Sequence, residues 1–97
     1  MGNKKLEDLK KRHTETVKHL DRWSQIVTQA QWKTPHDIEN QLPTARALGG
    51  GSGRHVFNIM GNKYRLIVRV DFDLSLVEIR FAGTHPEYDN IPDARKA

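Results

Sequence analysis

Two arginines, one histidine and one tyrosine in the C-terminal half of the chain are the residues whose types and spacing could do chemistry. Arg65 lies inside one alternating apolar segment, Arg80 lies near the end of the next, and His85 and Tyr88 follow directly. Cleavage of RNA without a metal needs such a set. A base takes the 2′-hydroxyl proton, an acid protonates the departing 5′-oxygen, and cations stabilise the charge on the phosphorane. Aromatic rings and arginine planes also stack on unpaired bases, so the set suits contact with RNA.

The same side chains also have ordinary structural interpretations. The two arginines could pair with Asp71 or Glu78 across a sheet. His85 and Tyr88 could be turn residues, and Asp89 is of a type that often caps turns. The histidines are scattered without ligand spacing, so we predict no metal site and no cofactor. Spacing and composition alone therefore establish a small basic α+β domain.

Alternating apolar residues predict an antiparallel sheet of about three strands. The strongest strand is Lys63–Asp73, and the side chains expected on its apolar side are Tyr64, Leu66, Val68, Val70 and Phe72. In the next strand, Leu76–Ala82, the expected apolar side consists of Val77, Ile79 and Phe81. Arg54–Met60 is a weaker strand that ends at a turn containing Gly61. The sheet is expected to have one apolar face and one basic face.

The N-terminal part of the chain is predicted to be helical and to cover the apolar face. Apolar residues recur at three- and four-residue steps over Lys4–Gln31, with a break near His13, and Thr14 is expected to cap a second helix. Thr34 followed by Pro35 marks the start of a short third helix.

We predict a single domain over residues 1–97. Residues 4–42 form its helical part, residues 43–53 a Gly-rich loop, and residues 54–91 the sheet followed by a tight turn. The last five residues are expected to be a frayed tail.

Composition narrows the classes of protein to which the chain can belong. It has 97 residues, a net charge of +4 and no cysteine. One modest core is possible, and disulfide or thiolate chemistry is not, which fits a reducing compartment. The positive net charge weakly favours a polyanionic partner such as nucleic acid. There is no apolar run of about 18 residues and no secretory signal, so we expect a cytoplasmic location without a membrane partner.

Three segments together resemble a known family. The segments VFNIMGNKYRLIVRV and VEIRFAGTHPEYDNI, preceded by WKTPHDIE, resemble the HigB branch of the RelE/ParE-like toxins of bacterial type II toxin–antitoxin systems. The resemblance covers about Lys4 to Ile91. It implies a RelE-like fold and a ribosome-dependent mRNA interferase, which cuts mRNA in the ribosomal A site by attack of the 2′-hydroxyl on the adjacent phosphate, without a metal. It also implies a HigA-type helix-turn-helix antitoxin as partner, and contact with operator DNA only through that antitoxin.

The resemblance also implies roles for individual residues. Arg65 matches the central-strand arginine of the family, and Arg80 is a second phosphate ligand. His85 and Tyr88 match the catalytic pair. The residues implied for RNA binding are Arg54, His55, Lys63 and Asp89.

Two features of the sequence leave alternatives to the mRNA interferase function open. Relatives usually begin with a short strand, whereas here Met1–Asn3 leads straight into a helix, which would leave a bare sheet edge. The Gly49–Gly53 run and the Met-Gly start resemble laboratory sequences. The alternatives are a non-nuclease toxin like the gyrase-poisoning ParE relatives, or an inactive or engineered toxin scaffold that binds only its antitoxin or RNA.

Overall fold

A computed structural model of the chain describes residues 4–49 and 51–97. Its helices are α1 (Lys4–Arg12), α2 (Val17–Gln29), α3 (Pro35–Gln41) and α4 (His85–Asp89), with 3₁₀ turns at Thr14–Thr16 and Ala94–Lys96. Its strands are β1 (Arg46–Ala47), β2 (Arg54–Ile59), β3 (Tyr64–Asp71) and β4 (Leu76–Thr84). They form one antiparallel sheet in the order β1-β2-β3-β4. The predicted α+β class is confirmed. The prediction for Met1–Asn3 lies outside the described residues.

The first two helices bury the apolar stripe that the sequence predicts. The chain breaks at His13, as expected, because α1 ends at Arg12 and a 3₁₀ turn precedes α2. The prediction that Thr14 caps the second helix is wrong. That helix starts after Thr16, whose buried hydroxyl donates to the carbonyl of His13 at 2.7 Å. No helix within residues 4–49 or 51–97 is long and apolar enough to cross a membrane.

The third helix begins where the sequence predicts, through a capping box. The Thr34 hydroxyl accepts from the Asp37 amide at 3.4 Å, and the Asp37 carboxylate accepts from the Thr34 amide at 3.1 Å. The Lys33 amide also donates to this carboxylate at 2.9 Å. These amide contacts, with that of Lys33 the largest, lower the pKa of Asp37. Pro35 occupies the first turn, where its missing N–H costs nothing.

The sheet has four strands, so the prediction of about three is one short. The additional strand, β1, lies inside the predicted loop, and Arg46 and Ala47 pair with Val56 and His55. The Leu48 amide extends this pairing by donating to the carbonyl of Arg54 at 2.8 Å. A strand of two residues shows no alternation, so periodicity could not reveal it.

The helices cover one face of the sheet. Phe57 is the largest fully buried side chain on that face, and it lies between two tryptophans. Trp23 meets its ring edge-on at 5.4 Å between centroids, and Trp32 stacks on it at 6.5 Å. Leu66 and Val68 of β3 are fully buried in the same cluster, as the alternation predicts. The side of the sheet that faces away from these helices is called the outer face below.

A β-bulge in β4 changes which side chains reach the outer face. Ile67 pairs with Phe81 and Val68 pairs with Ile79, so Arg80 is the extra residue between them. The alternation therefore reverses after Arg80. The prediction that Phe81 joins Ile79 in the core is wrong, because the extra residue turns Phe81 to the outer face.

Candidate active site

The segment after β4 forms a helix, so the prediction of a tight turn there is wrong. A second capping box starts this helix. The Thr84 hydroxyl accepts from the Glu87 amide at 3.2 Å, and the Glu87 carboxylate accepts from the Thr84 amide at 2.9 Å. This amide contact lowers the pKa of Glu87, and Arg12 lowers it further from 3.3 Å away. The spacing of Thr84 and Glu87, with Pro86 between them, is the sequence signal that predicts a helix start here.

Helix α4 places Tyr88 against Arg65. The guanidinium carbon of Arg65 lies 4.7 Å from the centre of the Tyr88 ring. The carbonyl oxygen of the Asn62 side chain accepts from Nε and Nη2 of Arg65 at 3.3 and 3.0 Å. The other N–H groups of Arg65 make no hydrogen bond within the described part of the chain. The cation is thus held in position with donors left for an anion.

Gly83 lies opposite Arg65 in β4, where the space for a side chain is already filled. A Cβ atom there would come within 2.8 Å of the Phe81 ring and 3.0 Å of the Glu87 carboxylate. The Phe81 and Tyr88 rings are neighbours, with centroids 6.3 Å apart. The close approach requires glycine, and it lets two aromatic rings share the outer face beside Arg65.

His85 is oriented by Asp89, one turn later in α4. Its Nδ1 lies 2.9 Å from a carboxylate oxygen of Asp89. A carboxylate can only accept, so this contact places a proton on Nδ1 and leaves Nε2 of the neutral ring as a proton acceptor. The His85 amide also donates to the carbonyl of Lys63 at 2.9 Å, which ties α4 to the start of β3. The contacts with Asp89 and Lys63 therefore fix the orientation of the half-buried His85 ring and its place beside the start of β3.

A cleft of about 310 Å³ opens beside Arg65 and Tyr88 on the outer face. Its other lining residues are Pro43, Thr44, Arg46, Leu48, Val56 and Asn58. Arg46 and Asn58 were not predicted from the sequence as residues of the site. Asn58 could have been found, because alternation in β2 places it on the same face as Arg54 and it pairs with Arg65. Arg46 could not, because its strand is too short to show a pattern.

The structure separates Arg80 from Arg65. Nε of Arg80 donates to the main-chain oxygen of Ala97 at 3.1 Å, and Nε of Arg54 donates to the same oxygen at 2.8 Å. Arg80 also pairs with Glu78 at 3.6 Å, as one structural interpretation of the sequence proposed. Within the described ranges, Arg65 pairs with no carboxylate. Arg80 thus belongs to a second cluster, which we call the Arg54–Arg80 pair.

The last residues of the chain are ordered against this pair, so the prediction of a frayed tail is wrong. The Asp93 side chain accepts from the Arg95 amide at 3.0 Å and starts a 3₁₀ turn over Ala94–Lys96. The two arginines then hold the oxygen of Ala97. These two contacts span 43 and 17 residues of sequence, so no local pattern could predict that the segment is held in place.

The two remaining predicted RNA-binding positions have different surroundings. Lys63 is exposed at the turn before β3, next to the start of α4. His55 is 2 % exposed, and neither ring nitrogen has a hydrogen-bond partner in the described part of the chain. Alternation turns Arg54 outward and His55 toward the helices, so His55 faces away from the cleft. The structure therefore removes His55 from the RNA-binding set.

Buried His55 is expected to make the stability of the protein depend on pH. Burial lowers the pKa of its imidazole below the ordinary value of 6.5. Below pH 6.5 the unfolded chain binds a proton that the folded chain does not, so the free energy of unfolding should fall as the pH drops from 6.5 toward the lowered pKa. Urea unfolding at a series of pH values from 7.5 to about 5 tests this.

The matched control is His55→Leu, which places an apolar side chain in the buried position and removes the titrating group. Its unfolding free energy should change less over the same pH interval. Equal slopes for the two proteins would contradict the assignment.

Among the described residues, no three His, Cys, Asp or Glu side chains come together in a way that could hold a metal ion. The helices, the four-stranded antiparallel sheet and α4 define a RelE-like fold. A family model described as HigB_toxin, the RelE-like toxic component of a toxin–antitoxin system, matches residues 16–91. The chain belongs to this HigB toxin family and is a toxin of a type II toxin–antitoxin system, with an antitoxin as partner. A comparison with curated proteins found no match.

Proposed function

We propose that this toxin is a ribosome-dependent mRNA interferase that cleaves translated mRNA. The observation that carries the proposal is the pairing of Arg65 with the Tyr88 ring, on the same short helix as a His85 that Asp89 orients. The set combines a positioned cation, an oriented imidazole and a phenol, and the cation and the phenol line a cleft. These are the groups that metal-free phosphodiester cleavage uses.

The proposed reaction is an internal transfer at phosphorus. The 2′-oxygen of one ribose forms a bond to the adjacent phosphorus, and the bond from phosphorus to the 5′-oxygen of the next nucleotide breaks. The products are a 2′,3′-cyclic phosphate and a free 5′-hydroxyl. Arg65 stabilises the charge that builds on the phosphorane. His85 and Tyr88 serve the two proton transfers, one from the 2′-hydroxyl and one to the 5′-oxygen.

Other residues on the same side of the molecule would bind the RNA. Lys63 lies beside the start of α4, and Arg46 lines the cleft with Arg65, so both would attract the phosphate backbone. Arg80 and Arg54 lie farther along the outer face and would contact the same strand. Asp89 would act through His85 by holding its ring in place.

The proposed setting follows from the substrate. The toxin would work in the cytoplasm, at the A site of translating ribosomes and in contact with ribosomal RNA. We propose that its antitoxin is of the HigA type, with a helix-turn-helix domain through which the complex binds operator DNA. This part of the proposal rests on the family to which the chain belongs.

A reconstituted translation reaction tests the proposal. The wild-type protein should cut mRNA within translated codons and leave the same mRNA intact without ribosomes. Tyr88→Phe keeps the ring beneath Arg65 and removes the hydroxyl, and His85→Ala removes the imidazole. Each should slow cleavage by about 10²–10⁴-fold, the usual contribution of general acid–base catalysis. Full activity of both variants, or equal cleavage of free mRNA, would refute the proposal.

A further inference from the structure

The Arg54–Arg80 pair has the geometry of an anion site. Two guanidinium groups, one from β2 and one from β4, converge on one oxygen, at 2.8 and 3.1 Å. The non-bridging oxygens of a phosphate carry charge and accept such charge-assisted hydrogen bonds, and a phosphate offers more than one of them to the two guanidinium groups. In the structure the main-chain oxygen of Ala97 holds this position. The last residues of the chain therefore occupy the place of an anion.

The charges around the pair favour exchange of this oxygen for a polyanion. Arg54, Arg69 and Arg80 lie together, and Glu78 is the acidic side chain that pairs with the last two, at 2.7 and 3.6 Å. The segment that reaches them, residues 93–97, contains Asp93, Arg95 and Lys96, and Asp93 pairs with Arg95 at 3.1 Å. One oxygen of Ala97 meets a cluster of three arginines and one glutamate, so the cluster keeps an excess of positive charge that an incoming polyanion would neutralise more fully.

The outer face connects the pair to the cleft through an aromatic ring. Arg54 and Asn58 lie four residues apart on β2, or about 13 Å at the rise of a strand. Phe81 lies between the two ends, opposite Ile67, and its ring is next to that of Tyr88. Cations alternating with aromatic rings along a groove are the pattern that binds single-stranded nucleic acid, because phosphates meet the cations and bases stack on the rings.

We propose that Arg54 and Arg80 form a second phosphate subsite for the RNA strand, separate from the cleavage centre at Arg65, His85 and Tyr88. The subsite binds a backbone phosphate other than the one that is cut. In the RNA-free protein the segment of residues 93–97 fills it through the oxygen of Ala97, and the RNA displaces this segment when it binds. The inference rests on the proposed function for the identity of the polyanion as RNA.

An NMR titration of the full chain with a single-stranded 2′-O-methyl RNA tests the subsite, since this probe cannot be cleaved. The side-chain Nε–H signals of Arg54 and Arg80 should shift. The amide signals of residues 94–97 should move toward random-coil positions in the same titration. Shifts confined to Arg65 and Tyr88, unchanged amides in the terminal segment, or no shift at all would each overturn the inference.

Binding of the same probe to variants gives the magnitude. Arg54→Gln and Arg80→Gln should each weaken binding by about tenfold or more, since a hydrogen bond to a charged group is lost. Each should also reduce the slope of log affinity against log salt by about 0.7. The control is Lys18→Gln, which removes an exposed cation from α2 on the other side of the sheet. Wild-type affinity in both arginine variants would overturn the inference.

Failure of the second phosphate subsite can be told apart from failure of the nuclease proposal. If the toxin is not a nuclease, the wild type fails to cut mRNA on ribosomes whatever the binding experiment shows. If only the subsite is wrong, the wild type cuts mRNA while Arg80→Gln binds the probe as tightly as the wild type does.

Discussion

Replacing Arg65 by alanine is expected to slow mRNA cleavage by about 10²–10³-fold, the usual cost of removing one positioned donor to a developing charge. Arg65 is held between the Tyr88 ring and the Asn62 side chain with donors left over. These contacts fix the cation before substrate arrives, so its stabilising effect needs no rearrangement during the reaction. Single-turnover cleavage on programmed ribosomes measures the effect directly.

Arg65→Lys is the matched variant for this prediction. Lysine keeps the charge but lacks the planar guanidinium group, which stacks on the Tyr88 ring and can donate to two oxygens of one phosphate. It should therefore restore only part of the cleavage rate. Circular dichroism of both variants checks that the fold is kept. A cleavage rate within a factor of a few of wild type in a folded Arg65→Ala protein would show that this arginine does not stabilise the transition state.

Replacing Phe57 by alanine is expected to lower the free energy of unfolding by about 3–5 kcal/mol, the range measured for truncation of buried aromatic side chains. The Phe57 ring is fully buried between Trp23 and Trp32, where it joins α2 and the segment before α3 to the sheet. Its removal leaves a cavity bounded by two rigid rings, which close such a space poorly. Urea unfolding followed by tryptophan fluorescence reports the change at this position.

Phe72→Ala provides the control for burial. Phe72 packs against the same cluster but is only partly buried, so its truncation should cost less. Since both substitutions remove the same atoms, the difference measures burial rather than side-chain chemistry. Equal losses in the two variants would contradict the placement of Phe57 at the centre of the core.

Regular patterns in the sequence predicted the scaffold well. Alternation in β3 assigned Leu66 and Val68 to the core, and the pair Thr34–Pro35 predicted the start of α3. These signals are local, since a side chain two residues away lies on the same face of a strand and a cap acts within one turn. A bulge is not a local signal, because its position depends on how β4 pairs with β3. The sequence of β4 alone therefore placed Phe81 on the wrong face.

The candidate site was also predictable only where it depends on local sequence signals. The sequence order of Arg65, His85 and Tyr88 was enough to expect them near one end of the sheet. The separation of Arg80 from Arg65 was not predictable, because it depends on the bulge and on the oxygen of Ala97. Arg54 could be expected on the basic face, but its partner at the end of the chain could not.

Mapping of mRNA 5′ ends in bacteria that express this toxin without an antitoxin tests the central claim most directly. A strain expressing His85→Ala at the same level is the control, and both proteins are checked for folding. The wild type should arrest growth and produce new 5′ ends inside translated codons, in frame, and the control should produce neither. Growth arrest by the wild type with intact mRNA would contradict the account and indicate a toxin that acts on another target. Normal growth with a folded wild-type protein would contradict it as well, and would indicate an inactive scaffold.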